Sequence, residues 1–160
     1  IENKFSKQGY HNNRIIKNWM FANSIHLIDY FSLLCRGNIK DIKNETYKFY
    51  DKQYFKLSRI LYSSGDVGIY QSYWNRTAPW SVSLSCSHSF FYLSPIELLF
   101  EKKASGEIIG YHKNDEDNKY KPGFYFLVKN LIKEYKVGKS NLVTLKENVK
   151  TVELIDKIYS

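Results

Sequence analysis

The chain has 160 residues, 43% hydrophobic and 17% aromatic, one domain's worth with enough apolar side chain for a real core, which excludes a disordered segment. Its net charge of +8 is spread out: residues 101–160 contribute +3 and residues 1–100 contribute +5, so a diffuse lysine surface is a better reading than a nucleic-acid-binding arm. No apolar run reaches the roughly 18 residues of a membrane span, and the polar start Ile1-Glu2-Asn3-Lys4 is no secretory leader.

The first residue is not Met, which points to a fragment or a trimmed chain. Residues 1–18 are polar, and Asn12-Asn13-Arg14 reads as a loop. Across residues 19–35, Phe21, Ala22, Ile25, Ile28, Phe31 and Leu34 recur near helical spacing, and Gly37 follows as a stop signal. The period then changes. Tyr47 and Phe49, then Tyr54, Phe55, Leu57, Ile60 and Tyr62, belong to strand-like stretches, with Ser63-Ser64-Gly65-Asp66 as a hairpin turn. Val67–Trp74, Trp80–Cys86, Ser89–Leu93, Glu97–Glu101 and Ile108–Tyr111 continue as short strands between Gly, Pro and Ser clusters.

An acidic loop around Asp115-Glu116-Asp117 ends at Pro122-Gly123, and Phe124–Tyr135 reads as a helix. Thr144-Leu145-Lys146-Glu147 is a capping box. It starts a last helix whose expected buried stripe is Leu145, Val149, Val152, Ile155 and Ile158. The order is one helix, five to seven strands, then two helices. It predicts a single α+β domain over residues 1–160: an open, largely antiparallel or mixed sheet with helices packed on one face. The uncovered face would carry Tyr70, Tyr73, Trp74, Trp80, Phe90, Phe91 and Tyr92, an aromatic area suited to a partner or ligand. Cys35 and Cys86 make no disulfide framework and read as free buried thiols.

Several residues could carry chemistry. In a helix, His26 lies one turn from Asn23, Asp29 and Tyr30, which could orient its ring; its near-neutral pKa suits it to general acid–base work, although such a histidine can equally be structural. Asp29 reads as a support for His26 or a neighbouring loop before it reads as a second catalytic carboxylate. Trp74 and Trp80 could stack on the C–H face of a sugar and Asn75 could bond its hydroxyls; packing explains both tryptophans as well. Arg14 and Lys17 could meet a phosphate or carboxylate, or be solvated charges. His11, His88 and His112 lie too far apart in sequence to argue a metal site.

Together, the run Asn18-Trp19-Met20-Phe21-Ala22-Asn23-Ser24-Ile25-His26-Leu27-Ile28-Asp29 and the later Tyr70-Gln71-Ser72-Tyr73-Trp74-Asn75, Ala78-Pro79-Trp80, Ser94-Pro95-Ile96-Glu97 and Tyr120-Lys121-Pro122-Gly123-Phe124-Tyr125 carry a resemblance. From about residue 10 to the end the chain resembles the C-terminal domain of the Gfo/Idh/MocA family of NAD(P)-dependent sugar oxidoreductases, most closely members from bacterial surface-polysaccharide gene clusters. The resemblance implies that His26, in the H-x-I-D motif, is the acid/base residue. It places Asn23, Trp74, Asn75, Trp80, Lys121 and Arg14 near a sugar or nucleotide-sugar substrate. Many members have an Asp four residues before the His, where this chain has Ala22, so a two-residue relay does not carry over.

The sequence contains no G-x-G-x-x-G, P-loop or G-x-S-x-G. The resemblance therefore implies a substrate-binding and dimerisation half without its Rossmann half, which would come in cis or in trans. NAD or NADP would belong to that other half, with none bound to this chain alone. It also implies a cytoplasmic homo-oligomer formed through the open sheet face, with no nucleic acid, membrane or metal involved. The alternative is a non-catalytic sugar-binding or dimerisation module left after loss of the cofactor domain. A basic aromatic sheet that stacks single-stranded nucleic acid is a third class, and no motif supports it.

Overall fold

The computed structural model describes residues 1–4, 13–50, 54–111, 114–139 and 141–160. His11, Asn12 and His112 lie outside the described residues. Eight strands are present among them: β1 Glu2–Lys4, β2 Ile39–Lys48, β3 Tyr54–Tyr62, β4 Val67–Trp74, β5 Val82–Ser85, β6 Ser89–Leu93, β7 Leu99–Lys103 and β8 Ile108–Tyr111. They form two four-stranded sheets in the orders β1-β4-β3-β2 and β5-β6-β7-β8. Every pairing is antiparallel except β1 on β4. The α+β class expected from the sequence is the class observed, with its strands divided between two sheets.

The helices are α1 Asn13–Lys17, α2 Ile25–Ile28, α3 Tyr30–Leu34, α4 Asp115–Lys119, α5 Phe124–Val137 and α6 Leu145–Tyr159, with a π-helical turn at Met20–Ser24 before α2. The core lies between the first sheet and helices α2 and α6. Ile28 meets Ile60, Tyr62 and Tyr70 from the strands and Leu154, Ile155 and Ile158 from α6. Strand alternation builds that face: Lys56, Ser58, Ile60 and Tyr62 of β3 are buried, as are Gly68, Tyr70 and Ser72 of β4. The layer is partly polar. The Tyr70 and Tyr159 hydroxyls share a 2.6 Å hydrogen bond, and the Lys56 ammonium lies 5.1 Å from the Tyr159 ring centre. Burial lowers the Lys56 pKa.

Gly68 is a close-approach position. A Cβ there would come within 2.8 Å of the Phe31 ring, so only glycine lets α3 lie this near β4. At the other end of α3, Asp66 in the β3–β4 turn clamps the chain. Its carboxylate accepts from the Arg36 backbone N–H at 2.8 Å and from the guanidinium at 2.8 and 3.1 Å. Those bonds hold the carboxyl well below the usual carboxylate range.

Several sequence expectations are corrected. Asn13 and Arg14, read as part of a loop, begin helix α1, and Glu2–Lys4 in the polar start is a strand; β1 is too short to show a period and forms because β4 pairs with it. The expected strands Trp80–Cys86 and Glu97–Glu101 are Val82–Ser85 and Leu99–Lys103, shifted by the adjacent turns. In α6 the buried residues are Thr151, Leu154, Ile155 and Ile158, whereas Leu145 (80% exposed), Val149 and Val152 face outward. Tyr70 is buried under α6 and does not belong to the open face. Cys35 is half-buried and Cys86 is exposed, and both are free.

Candidate functional site

The exposure of His26 is set by how its helix is wound. The Ile25 amide reaches back to the Met20 carbonyl, a π-type bond that inserts one residue into the turn. The extra residue rotates the downstream helix. Ser24, Leu27 and Ile28 become the buried side, Phe21 and His26 are exposed, and Asn23 is half-buried. The simple 3.6-residue stripe read from the sequence counts Phe21 as core, and the π turn is the reason it is not.

Asp29 does not serve His26. Its carboxylate accepts the Thr151 hydroxyl at 2.6 Å and so fastens α2 to α6, a structural role, though one that supports a distant helix and not His26 or a neighbouring loop. Among the described residues the His26 ring has no hydrogen-bond partner. Both ring nitrogens are left to solvent or ligand, an arrangement suited to proton exchange with a bound hydroxyl.

The other candidates stand on different elements. Trp74, at the end of β4, points to the α6 side of the sheet. Its ring stacks on Tyr54 at 4.5 Å and meets Tyr159 edge-on at 6.5 Å, and its indole N–H donates to the Ser72 hydroxyl at 2.6 Å. These contacts are those of a packing residue. Asn75 comes next in the left-handed region, φ 57°, which asparagine tolerates better than most residues. Trp80 is half-buried in the connection to β5, and Arg14 and Lys17 are exposed on α1. Lys121 is exposed ahead of α5. The turn there is explained by Gly123, φ 77°, whose N–H donates to the Asp117 carboxylate at 2.8 Å.

A cavity of about 390 Å³ lies elsewhere, between α2, α3, β4 and β5. None of the seven sequence candidates lines it. Its polar groups include Tyr30, Gln71, Ser81 and Ser83, and burial raises the Tyr30 hydroxyl pKa, with Glu97 and Asp29 adding to the shift. Tyr30 stands out in the sequence only as a neighbour of His26, and nothing marks Gln71 or the serines, because the cavity is made by two sheets meeting.

The outward face of the first sheet carries an aromatic row. Tyr47, Phe55 and Tyr73 stand side by side on β2, β3 and β4, with ring centres 6.0 and 4.8 Å apart, and Val67 and Ile69 on the same face are more than half exposed. Of the aromatics expected on an open face, Tyr73 is there. In the second sheet, Phe90 and Tyr92 stack with Phe100 along one face. No helix among the described residues is long and apolar enough to cross a membrane.

No family model matches this sequence, and no curated protein resembles it in sequence. Solved structures do resemble it in fold. A dehydrogenase from Chromobacterium violaceum superposes with a TM-score of 0.73 at 11% identity, over 99% of this chain and 51% of that one. The dehydrogenase MviM from Clostridium difficile gives 0.70 at 15% identity, over 99% and 54%. This chain has the fold of about half a dehydrogenase. The biliverdin reductase of Synechocystis, solved with biliverdin and NADP+, gives 0.67 at 8% identity, over 98% of this chain and 51% of its own. The chain thus spans about half the length of the solved structures it matches.

Proposed function

We propose that this chain is the substrate-binding and oligomerisation half of an NAD(P)-dependent oxidoreductase of the Gfo/Idh/MocA type. Its substrate is a sugar or nucleotide-sugar hydroxyl or keto group, in surface-polysaccharide biosynthesis in the cytoplasm. The observation that carries the reading is the fold match over nearly the whole of this chain and half of each dehydrogenase. The exposed His26, set by a π turn beside half-buried Asn23, supports it. So does the sequence resemblance, which rests on residues scattered from Asn18 to Tyr125.

In this reading the dinucleotide is held by a Rossmann half and supplies the hydride acceptor. His26 takes the hydroxyl proton as the C–H hydride leaves, and returns it in the reverse direction. Asn23 and Asn75 bond sugar hydroxyls, Trp80 offers a stacking face, and Lys121 and Arg14 bring positive charge to a phosphate. Trp74, whose N–H is engaged by Ser72, offers the sugar only its ring.

Calorimetric titration of the chain with a panel of UDP- and GDP-sugars, with and without NAD(H), tests the proposal. Saturable sugar-nucleotide binding that ignores NAD(H) is expected. Binding of NAD(H) by this chain alone would contradict it, and silence toward every sugar would favour the dimerisation module. In the assembled enzyme, His26→Ala should lower turnover by about 10²–10⁴-fold with folding intact; unchanged turnover would remove His26 from the mechanism.

A further inference from the structure

Helix α5 has little of its surface covered. α4 packs against it, with the Tyr120 and Tyr125 rings stacked at 6.0 Å, and Tyr125, Phe126 and Asn130 are half-buried. Every other residue from Phe124 to Val137 is exposed. At 3.6 residues per turn, Phe124, Leu127, Val128, Leu131, Ile132 and Tyr135 fall within one arc of about 140°. The helix therefore presents a continuous apolar side to its surroundings.

The chain's positive charge is gathered at the same place. Residues 119–139 hold six Lys against Glu134 alone, a net +5 of the chain's +8. The acids of α4 and α6 offset this when the chain is divided into halves, so composition alone reads as diffuse. Lys129 and Lys136 follow Ile132 at the rim of the apolar arc, and Lys133 stands behind it. All three are exposed, and among the described residues no ion pair takes them up. The α4 acids lie toward the start of α5, where the Asp117 carboxylate accepts the Gly123 N–H at 2.8 Å.

The pairing of an apolar side with a cationic rim narrows what can cover it. A second copy seated α5 on α5 would bring two segments of net +5 together, which like-charge repulsion opposes. A membrane span needs about 20 apolar residues, and α5 has 14 in all. A helix lying in the plane of a bilayer needs less. Its apolar side sinks below the headgroups, and its lysines stretch along the rim to anionic lipids.

We propose that α5 binds the surface of an anionic lipid bilayer, lying in the interface with its Leu127–Leu131–Tyr135 side inward and Lys129, Lys133 and Lys136 at the headgroups. The charge and the apolar arc carry this, independently of the oxidoreductase reading. It departs from the expectation, implied by the resemblance, that no membrane is involved.

Co-sedimentation of the chain with phosphatidylcholine vesicles containing about 30% phosphatidylglycerol tests it. Binding is expected, weaker by about tenfold or more on phosphatidylcholine alone and falling as salt is raised. Changing Lys129, Lys133 and Lys136 together to Gln should weaken it by about 100-fold, roughly fivefold for each lysine at an anionic surface. Leu131→Glu should abolish it with the circular dichroism unchanged, because that side chain is already exposed. The emission contributed by Leu131→Trp should shift to the blue on adding vesicles, and that of Lys133→Trp should not. No binding to the charged vesicles overturns the proposal. So does binding that survives Leu131→Glu, which would be adsorption through other lysines. It is equally overturned if Leu131→Glu breaks up an oligomer, because a second copy would then cover α5. Loss of vesicle binding in the assembled protein would also overturn it, because the other half would then be the cover.

Discussion

Helices α5 and α6 are nearly the same length, 14 and 15 residues, and both carry apolar stripes, yet they end in opposite situations. α6 buries Thr151, Leu154, Ile155 and Ile158 against the first sheet and α2, with Ile155 at 0% exposure. α5 buries nothing. Phe124, Leu127, Val128, Leu131, Ile132 and Tyr135 recur at helical spacing and all remain exposed, Tyr135 at 91%. An amphipathic period shows that a helix has a face to cover, but says nothing of whether the cover belongs to the same chain. α5 and the outward Leu145–Val149–Val152 side of α6 are thus apolar faces left uncovered by the described residues.

The comparison breaks most sharply on matched substitutions. Ile155→Ala should cost about 2–5 kcal/mol by urea denaturation, because the cavity is fully enclosed. Ile132→Ala in α5 should change the stability of the isolated chain by less than about 0.5 kcal/mol. Equal losses would mean that α5 is covered in solution and the contrast is false.

A smaller effect separates the polar part of the α6 contact from its apolar part. Thr151→Val keeps the shape but removes the donor to Asp29, leaving a half-buried carboxylate without that bond, at a cost of about 1–3 kcal/mol. Unchanged stability would show that packing alone docks α6.

The smallest effect comes from the exposed clamp that holds the end of α3 to the β3–β4 turn. The folded pKa of Asp66 lies below its unfolded value, so its contribution is present above about pH 4, the ordinary aspartate range. It is lost as pH falls from there toward the depressed folded value. Arg36→Ala should flatten that part of the acid-stability curve and weaken its salt dependence. An unchanged acid limb would show that other carboxylates set it.

Much of the fold was legible locally. β4, β6 and β8 fall where alternation and turn residues put them. The Thr144–Glu147 capping box starts α6 at the expected position, with the Thr144 hydroxyl accepting the Glu147 N–H at 3.3 Å. What failed depended on partners far along the chain. Period-2 alternation separates Tyr70 from Tyr73 but cannot say which of them receives the helix. α6 offers two apolar sides, and the Asp29–Thr151 bond, spanning residues far apart in sequence, belongs to the one that docks. The π turn at Met20–Ser24 breaks the 3.6 period without any Gly or Pro to mark it. Of the candidate residues, the motif around His26 was legible in the sequence, whereas its exposure followed from the π turn. Trp74 was ambiguous because an aromatic beside an amide reads alike in a sugar site and in a sheet.

Sedimentation velocity of the chain at tens of micromolar tests most directly whether its uncovered faces are association surfaces. A dimer or larger species is predicted, reverting to monomer when Ile69 on the outward sheet face is changed to Glu. A clean monomer for the unaltered chain would contradict the account.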